Sequence, residues 1–166
     1  MTTVLLLFLL AIGPLFAAAD YKAGVASLVI TPAEPIYLSG YANRTHASDG
    51  VYSDLHAKCL VIEDSHGARV AIVTTDLIGL PRSISDPVGA RVQKEYGLER
   101  SHLLLNSSHT HSGPLVGDNL HIMFDLNPHD QAVVDRYARK LTDDLVNLVG
   151  AAIRGLRSTP RASISA

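Results

Sequence analysis

One cysteine and no tryptophan occur in the 166 residues. A lone Cys59 cannot close an internal disulfide, which excludes a disulfide-stapled scaffold. It lies in the apolar run K-C-L-V-I, where a buried, inert thiol is expected. Positive charge is also scarce: 14 Lys and Arg face 16 Asp and Glu, for a net charge of -2. No basic run is present, so the electrostatic footprint of a nucleic-acid binder is missing and no nucleic-acid partner is expected. Internal repeats and low-complexity tracts are absent as well. What remains, 47% hydrophobic and 18% charged residues, is the composition of one globular domain or part of a larger one.

Residues 1–19 (MTTVLLLFLLAIGPLFAAA) are uncharged, strongly apolar and end in an A-x-A pattern. They read as a secretory signal peptide cleaved after Ala19. The alternative is an uncleaved anchor, favoured by the missing basic n-region and opposed by an apolar run shorter than the roughly 20 residues that span a bilayer. The mature chain, 20–166, is then expected to be exported, either secreted or periplasmic.

The body of the chain predicts an α/β fold. Residues 21–31 (YKAGVASLVIT) form a strand closed by Pro32, and 42–54 form a polar surface loop of a length that often carries function. LHAKCLVIED and ARVAIVTTD, separated by S-H-G, predict an antiparallel hairpin over 55–75. Its second strand, 70–75, reads as a central strand buried on both faces, with Asp76 at its carboxyl end. Ser85-Asp86-Pro87 has the residues of a helix start, and Gly97 those of a stop. The run H-L-L-L-N at 102–106 is a second buried strand. Strand, helix and strand over 69–106 make a βαβ unit with parallel strands and a right-handed crossover. A long helix follows from Asn127-Pro128, with Val133, Tyr137, Leu141, Leu145, Leu148, Val149, Ala152 and Leu156 on one face. The final R-A-S-I-S-A resembles the opening of another strand. The expected architecture is therefore a mixed sheet with a long packing helix, the amino-terminal part (20–166) of a larger layered α/β catalytic domain.

Eight histidines are present. His46, His66, His102, His121 and His129 read as surface or capping residues; so does His56, with the reservation that it alternates into a strand beside the expected crevice. His109 and His111 differ. The βαβ topology puts them, with Asp76, at the carboxyl ends of parallel strands, where open α/β sheets bind ligands. In an extended segment residues i and i+2 face one way, so H-x-H can give a metal two ligands, or one ligand and one base. Ser107, Ser108, Ser112 and Gly113 leave room for a substrate, and Gly-Pro fixes the loop's exit. Zinc is the metal such imidazoles suit best in an exported protein. Asp76 reads equally as a partner supporting the metal site and as a structural strand-end acid. The pattern H-x-H-x-D of metallo-β-lactamases is not met, because Gly113 stands in the place of the aspartate. Asn43-Arg44-Thr45 and Asn106-Ser107-Ser108 fit the glycosylation pattern; the second adjoins the site and is read as coincidence.

The motif in its setting, L-L-L-N-S-S-H-T-H-S-G-P, resembles the amino-terminal domain of the neutral/alkaline, non-lysosomal ceramidases. So do the blocks A-G-V-A-S-L-V-I-T-P, L-S-G-Y-A-N-R, L-H-A-K-C-L-V-I and V-A-I-V-T-T-D-L-I-G-L-P, in the same order over most of 22–156. The resemblance implies a zinc-dependent amidohydrolase that cleaves the N-acyl bond of ceramide, a sphingolipid, to a sphingoid base and a fatty acid. It implies His109 as a zinc ligand and His111 as the catalytic helper beside the metal, with Asp76, Ser112 and Gly113 as candidates for metal support or the substrate pocket. A lipid amide substrate brings contact with a membrane surface. The family's other zinc ligands (a further histidine, a glutamate and a tyrosine) and its serine have no match here, so these 166 residues alone are expected to be inactive and to bind zinc weakly. The alternatives are another metal-dependent amide or ester hydrolase, or a non-catalytic binding remnant of the fold.

Overall fold

A computed structural model describes residues 21–158. The signal-peptide reading of 1–19 and the strand opening at 161–166 lie outside these residues. The elements run β1 (Lys22–Val29), β2 (His56–Glu63), β3 (Arg69–Thr75), α1 (Arg82–Tyr96), β4 (Leu103–Ser107), α2 (Pro128–Arg154) and β5 (Arg157–Ser158). They form one five-stranded sheet in the order β4-β3-β2-β1-β5.

The hairpin stands as expected. β2 and β3 pair antiparallel, from Ala57 opposite Thr75 to Glu63 opposite Arg69. Asp64 organises the turn, its Oδ1 accepting from the backbone N–H of His66 and Ala68 at 2.9 and 2.8 Å. β3 and β4 are parallel, with α1 between them in sequence, so the βαβ unit is also borne out.

Three local expectations are corrected. α1 begins one turn earlier than Ser85, at Arg82, and takes Pro87 into its interior. The Pro81 carbonyl accepts from Ile84 and Ser85, so the helix starts on a backbone acceptor that no capping side chain announces. His102 ends a 3-10 turn, Arg100–His102, ahead of β4 rather than beginning the strand. β3 is buried on one face only: Ala71, Val73 and Thr75 are buried while Val70 and Ile72 are exposed. Both helices contribute to the core on the first face, whereas Val25, Val70, Ile72 and Leu104 remain accessible. Residue type announced apolar strands, but whether a second layer covers them is a property of tertiary structure.

α2 follows its pattern up to Arg154, and Leu156, expected on the same helical face, lies past its end. Asn127 Oδ1 accepts from the N–H of Asp130 at 3.0 Å and Pro128 opens the first turn. Val133, Leu141, Leu145, Leu148, Val149 and Ala152 are buried. All of these but Val133 meet Val88 and Val92 of α1 and Ala57, Cys59, Val61 and Val73 of the sheet in the main core. Burial holds the Cys59 thiol up at about 11, the inert state expected of it. A second cluster, Ile36, Tyr37, Leu115, Phe124, Val133 and Val134, packs the long loops against the start of α2. Among the described residues no helix is long and apolar enough to cross a membrane.

Candidate active site

β1 ends, β2 begins, and β3 and β4 end at one edge of the sheet, so the loops 30–55, 76–81 and 108–127 gather there. The H-T-H loop leaves β4 still tied to β3: Ser108 N–H donates to Thr75 O, and His109 N–H to Leu77 O, both at 3.0 Å. His109 then turns into the left-handed region, φ 61°, which is uncommon outside glycine and concentrates at functional sites. The two imidazoles are brought together, with ring centroids 5.2 Å apart and planes at 72°. The extended geometry expected to unite them is absent; a bend at His109 does it instead.

That bend fixes the ring. His109 Nδ1 lies 2.8 Å from the Ile78 carbonyl oxygen. A carbonyl only accepts, so Nδ1 carries the proton and the neutral ring offers its Nε2 lone pair. This is the posture in which protein histidines bind metals.

His111 is held by the Gly40–Tyr41 turn and by Arg44 of the 42–54 loop, whose length suggested function without saying which. Its ring lies over Gly40, where a Cβ would stand 2.6 Å from His111 Cγ and 2.7 Å from Nδ1. Tyr41 meets the ring edge to face at 4.9 Å, and Arg44 spans the two, donating to the His111 carbonyl at 2.8 Å while its guanidinium lies 5.4 Å from the Tyr41 ring centroid. His111 Nδ1 is buried without a hydrogen-bond partner. The block L-S-G-Y-A-N-R carried the signal, since a Gly-Tyr turn followed by a cation is an economical way to seat a ring, but only a contact shows which ring it seats.

Asp76 sits at the carboxyl end of β3 and turns to the strand beside it. Its Oδ2 accepts from His56 N–H at 2.9 Å and lies 3.9 Å from His56 Nδ1, while its own N–H donates to His56 O. The hydrogen bond to His109 that a metal-supporting carboxylate would accept is made by Ile78 O. Gly113 touches the Asp76 backbone: a Cβ there would stand 3.2 Å from Asp76 O. Gly113 O also accepts from Ser39 N–H at 2.9 Å, joining the histidine loop to the Gly40 turn. Ser112 is exposed, with its N–H on Thr110 Oγ1 at 3.2 Å. Among the described residues no group of three or more His, Cys, Asp and Glu side chains converges to hold a metal ion.

Residues 21–156 match the N-terminal region of the neutral/alkaline non-lysosomal ceramidases. The chain belongs to that family. Neutral ceramidase 3 of Arabidopsis thaliana is 31% identical over 115 residues, covering 68% of this chain and 16% of the relative. Neutral ceramidase of Drosophila melanogaster is 32% identical over 113 residues, 66% of this chain and 16% of its own length. The crystal structure of neutral ceramidase from Pseudomonas aeruginosa superposes with a TM-score of 0.70 at 25% identity, over 84% of this chain and 22% of that one. A ceramidase complexed with C2 superposes with a TM-score of 0.68 at 26% identity. The chain thus spans a small part of the ceramidases it matches, and the α/β fold with its mixed sheet is the one they share.

Proposed function

We propose that this chain is the amino-terminal part of a zinc-dependent amidohydrolase that cleaves the N-acyl amide of ceramide, adding water to give a sphingoid base and a fatty acid. The observation that carries the reading is the His109 ring, protonated at Nδ1 by its bond to Ile78 O and presenting Nε2 beside a second imidazole. The residues fit one corner of a zinc site: a single pre-oriented ligand, with the others supplied from beyond these residues. Zinc, when bound, supplies Lewis acidity toward an amide carbonyl and water. His109 holds its place. His111, whose ring packs on Gly40 and Tyr41, accepts a proton from the attacking water and returns it to the leaving amine. Ser112 leaves a small, exposed hydroxyl beside the imidazoles, and Gly113, lacking a side chain, lets the loop close on the Asp76 backbone. Asp76 acts at one remove, fixing the β2 end through His56 and the floor under Gly113. The apolar leader pattern at 1–19 supports an exported protein, secreted or periplasmic, and a lipid amide substrate implies work at a membrane surface.

Zinc content and fatty-acid release from an N-acylsphingosine test the reading in the 166-residue chain and in the longer protein carrying it. The short chain is expected to hold zinc far below one equivalent and to release no fatty acid, and the longer one to hold zinc and turn over. In the longer protein His109→Ala should lose both metal and activity, while His111→Ala should keep the metal and lose about 10²- to 10⁴-fold in kcat. Tight zinc with turnover in the short chain, or full zinc in His109→Ala, overturns the assignment.

A further inference from the structure

Three buried side-chain atoms among the described residues have no hydrogen-bond partner: Ser39 Oγ, Arg44 Nε and His111 Nδ1. All three belong to the contact that seats the His111 ring. Ser39 precedes Gly40, over which the ring lies, and its N–H donates to Gly113 O at 2.9 Å. Arg44 Nη2 donates to His111 O at 2.8 Å, and its guanidinium lies 5.4 Å from the Tyr41 ring that meets His111. The block L-S-G-Y-A-N-R thus brings a hydroxyl, a bare glycine, an aromatic edge and a guanidinium to one imidazole. Ser39 is 0% exposed, so bulk solvent does not reach its hydroxyl. Buried polar groups are almost always paired, and three orphans around one ring imply a partner that they share. Their chemistry limits what it is. Arg44 Nε only donates, whereas Ser39 Oγ and His111 Nδ1 can each donate or accept. A water molecule does both, and a buried water typically makes about three hydrogen bonds to groups otherwise unpaired.

We infer that one water molecule is held between Ser39 Oγ, Arg44 Nε and His111 Nδ1, which makes Ser39 and Arg44 positioning residues for the His111 ring. The water site rests on the orphaned atoms alone, and the direction of its hydrogen bonds rests on the hydrolase reading. For His111 to take a proton at Nε2, Nδ1 carries its own proton throughout, and a buried N–H needs an acceptor. Arg44 Nε cannot be that acceptor. The water oxygen accepts from His111 Nδ1 and from Arg44 Nε, which fills its two lone pairs, and it donates one hydrogen to Ser39 Oγ. The two histidines then reach the same tautomer by different means, His109 through Ile78 O and His111 through the water.

A high-resolution crystal structure of the 166-residue chain, with NMR of the same chain isotope-labelled at the histidine nitrogens, tests it. The expected result is one ordered water within hydrogen-bond distance of all three atoms, and a His111 Nδ1–H that exchanges slowly and cross-relaxes with that water. Ser39→Ala should lose the water and speed Nδ1–H exchange by about tenfold, the worth of about one hydrogen bond, with the His109 signals in place. Arg44→Lys keeps the charge, removes the Nε–H and should do the same, which gives a second measurement. In the longer protein, Ser39→Ala should lower kcat by about tenfold with KM and zinc content at the parent values, and Ser39→Thr, which restores the hydroxyl, should recover most of the loss. No water between the three atoms, or Nδ1–H exchange unchanged in both Ser39→Ala and Arg44→Lys, overturns the inference. An ordered water with the ring proton on Nε2 leaves the water site standing and sinks His111 as the base of the hydrolase reading.

Discussion

His109 and His111 are held by different physics, and substitutions should separate them. His109 depends on a backbone acceptor, Ile78 O, whereas His111 depends on the absence of an atom, the Cβ of residue 40. Gly40→Ala puts a methyl 2.6 Å from His111 Cγ at a backbone φ of 101° that L side chains rarely adopt. Crowding and backbone strain together are expected to cost about 2 to 4 kcal/mol, read as a drop in thermal midpoint, with the His111 ring resonances displaced and those of His109 nearly fixed. Gly50→Ala, with open space around its Cβ site, should leave both unchanged. Equal disturbance of the two rings by Gly40→Ala would show that they are seated as one unit. The sequence marked both histidines, because H-x-H beside small residues is visible as text. It did not mark Ile78, since any residue brings a carbonyl, nor show that Asp76 would spend its carboxylate on His56.

At the scale of elements, legibility tracked how locally each signal is encoded. The α2 start was readable because Asn127 and Pro128 satisfy orphan donors within one turn, and the α1 stop because Gly97 takes φ 68°. The α1 start was misread because Asp86-Pro87 imitates a helix entry while the real entry uses a backbone carbonyl. Gly150, a glycine inside α2, is a contact point. A Cβ there would stand 2.3 Å from Tyr96 Cζ and 2.4 Å from its hydroxyl oxygen, so the missing side chain lets the last residue of α1 lie on α2. Gly150→Ala gains helix propensity of about 1 kcal/mol and loses more to overpacking, so a net loss of about 1 to 2 kcal/mol is expected in denaturant unfolding. Tyr96→Ala introduced into the Gly150→Ala background should recover part of it. A net gain in stability from Gly150→Ala alone would show that Tyr96 swings aside freely.

Across the whole molecule, one carboxylate ties three strands at the sheet edge opposite the site. Glu63 of β2 meets Lys22 of β1 at 2.8 Å and Arg69 of β3 at 2.6 Å, while its own side chain is almost fully covered. Hydrogen bonds from Lys22 and then Arg69 hold the Glu63 carboxyl below its ordinary 4.5. The sign follows from which state binds protons more readily: the unfolded chain takes up the proton first as pH falls. The tie is therefore fully present at neutral pH and fades only below about pH 4.5, as acidity passes through the depressed folded value. Glu63→Gln should lower the thermal midpoint at neutral pH and flatten its decline in the acid range, so that the two profiles converge at low pH. Parallel profiles would assign the acid loss to other carboxylates. The histidine loop, at the far end of the strands, should show the same NMR signals in Glu63→Gln as in the parent while both remain folded, because the sheet between them transmits position through a packed core rather than through this charge.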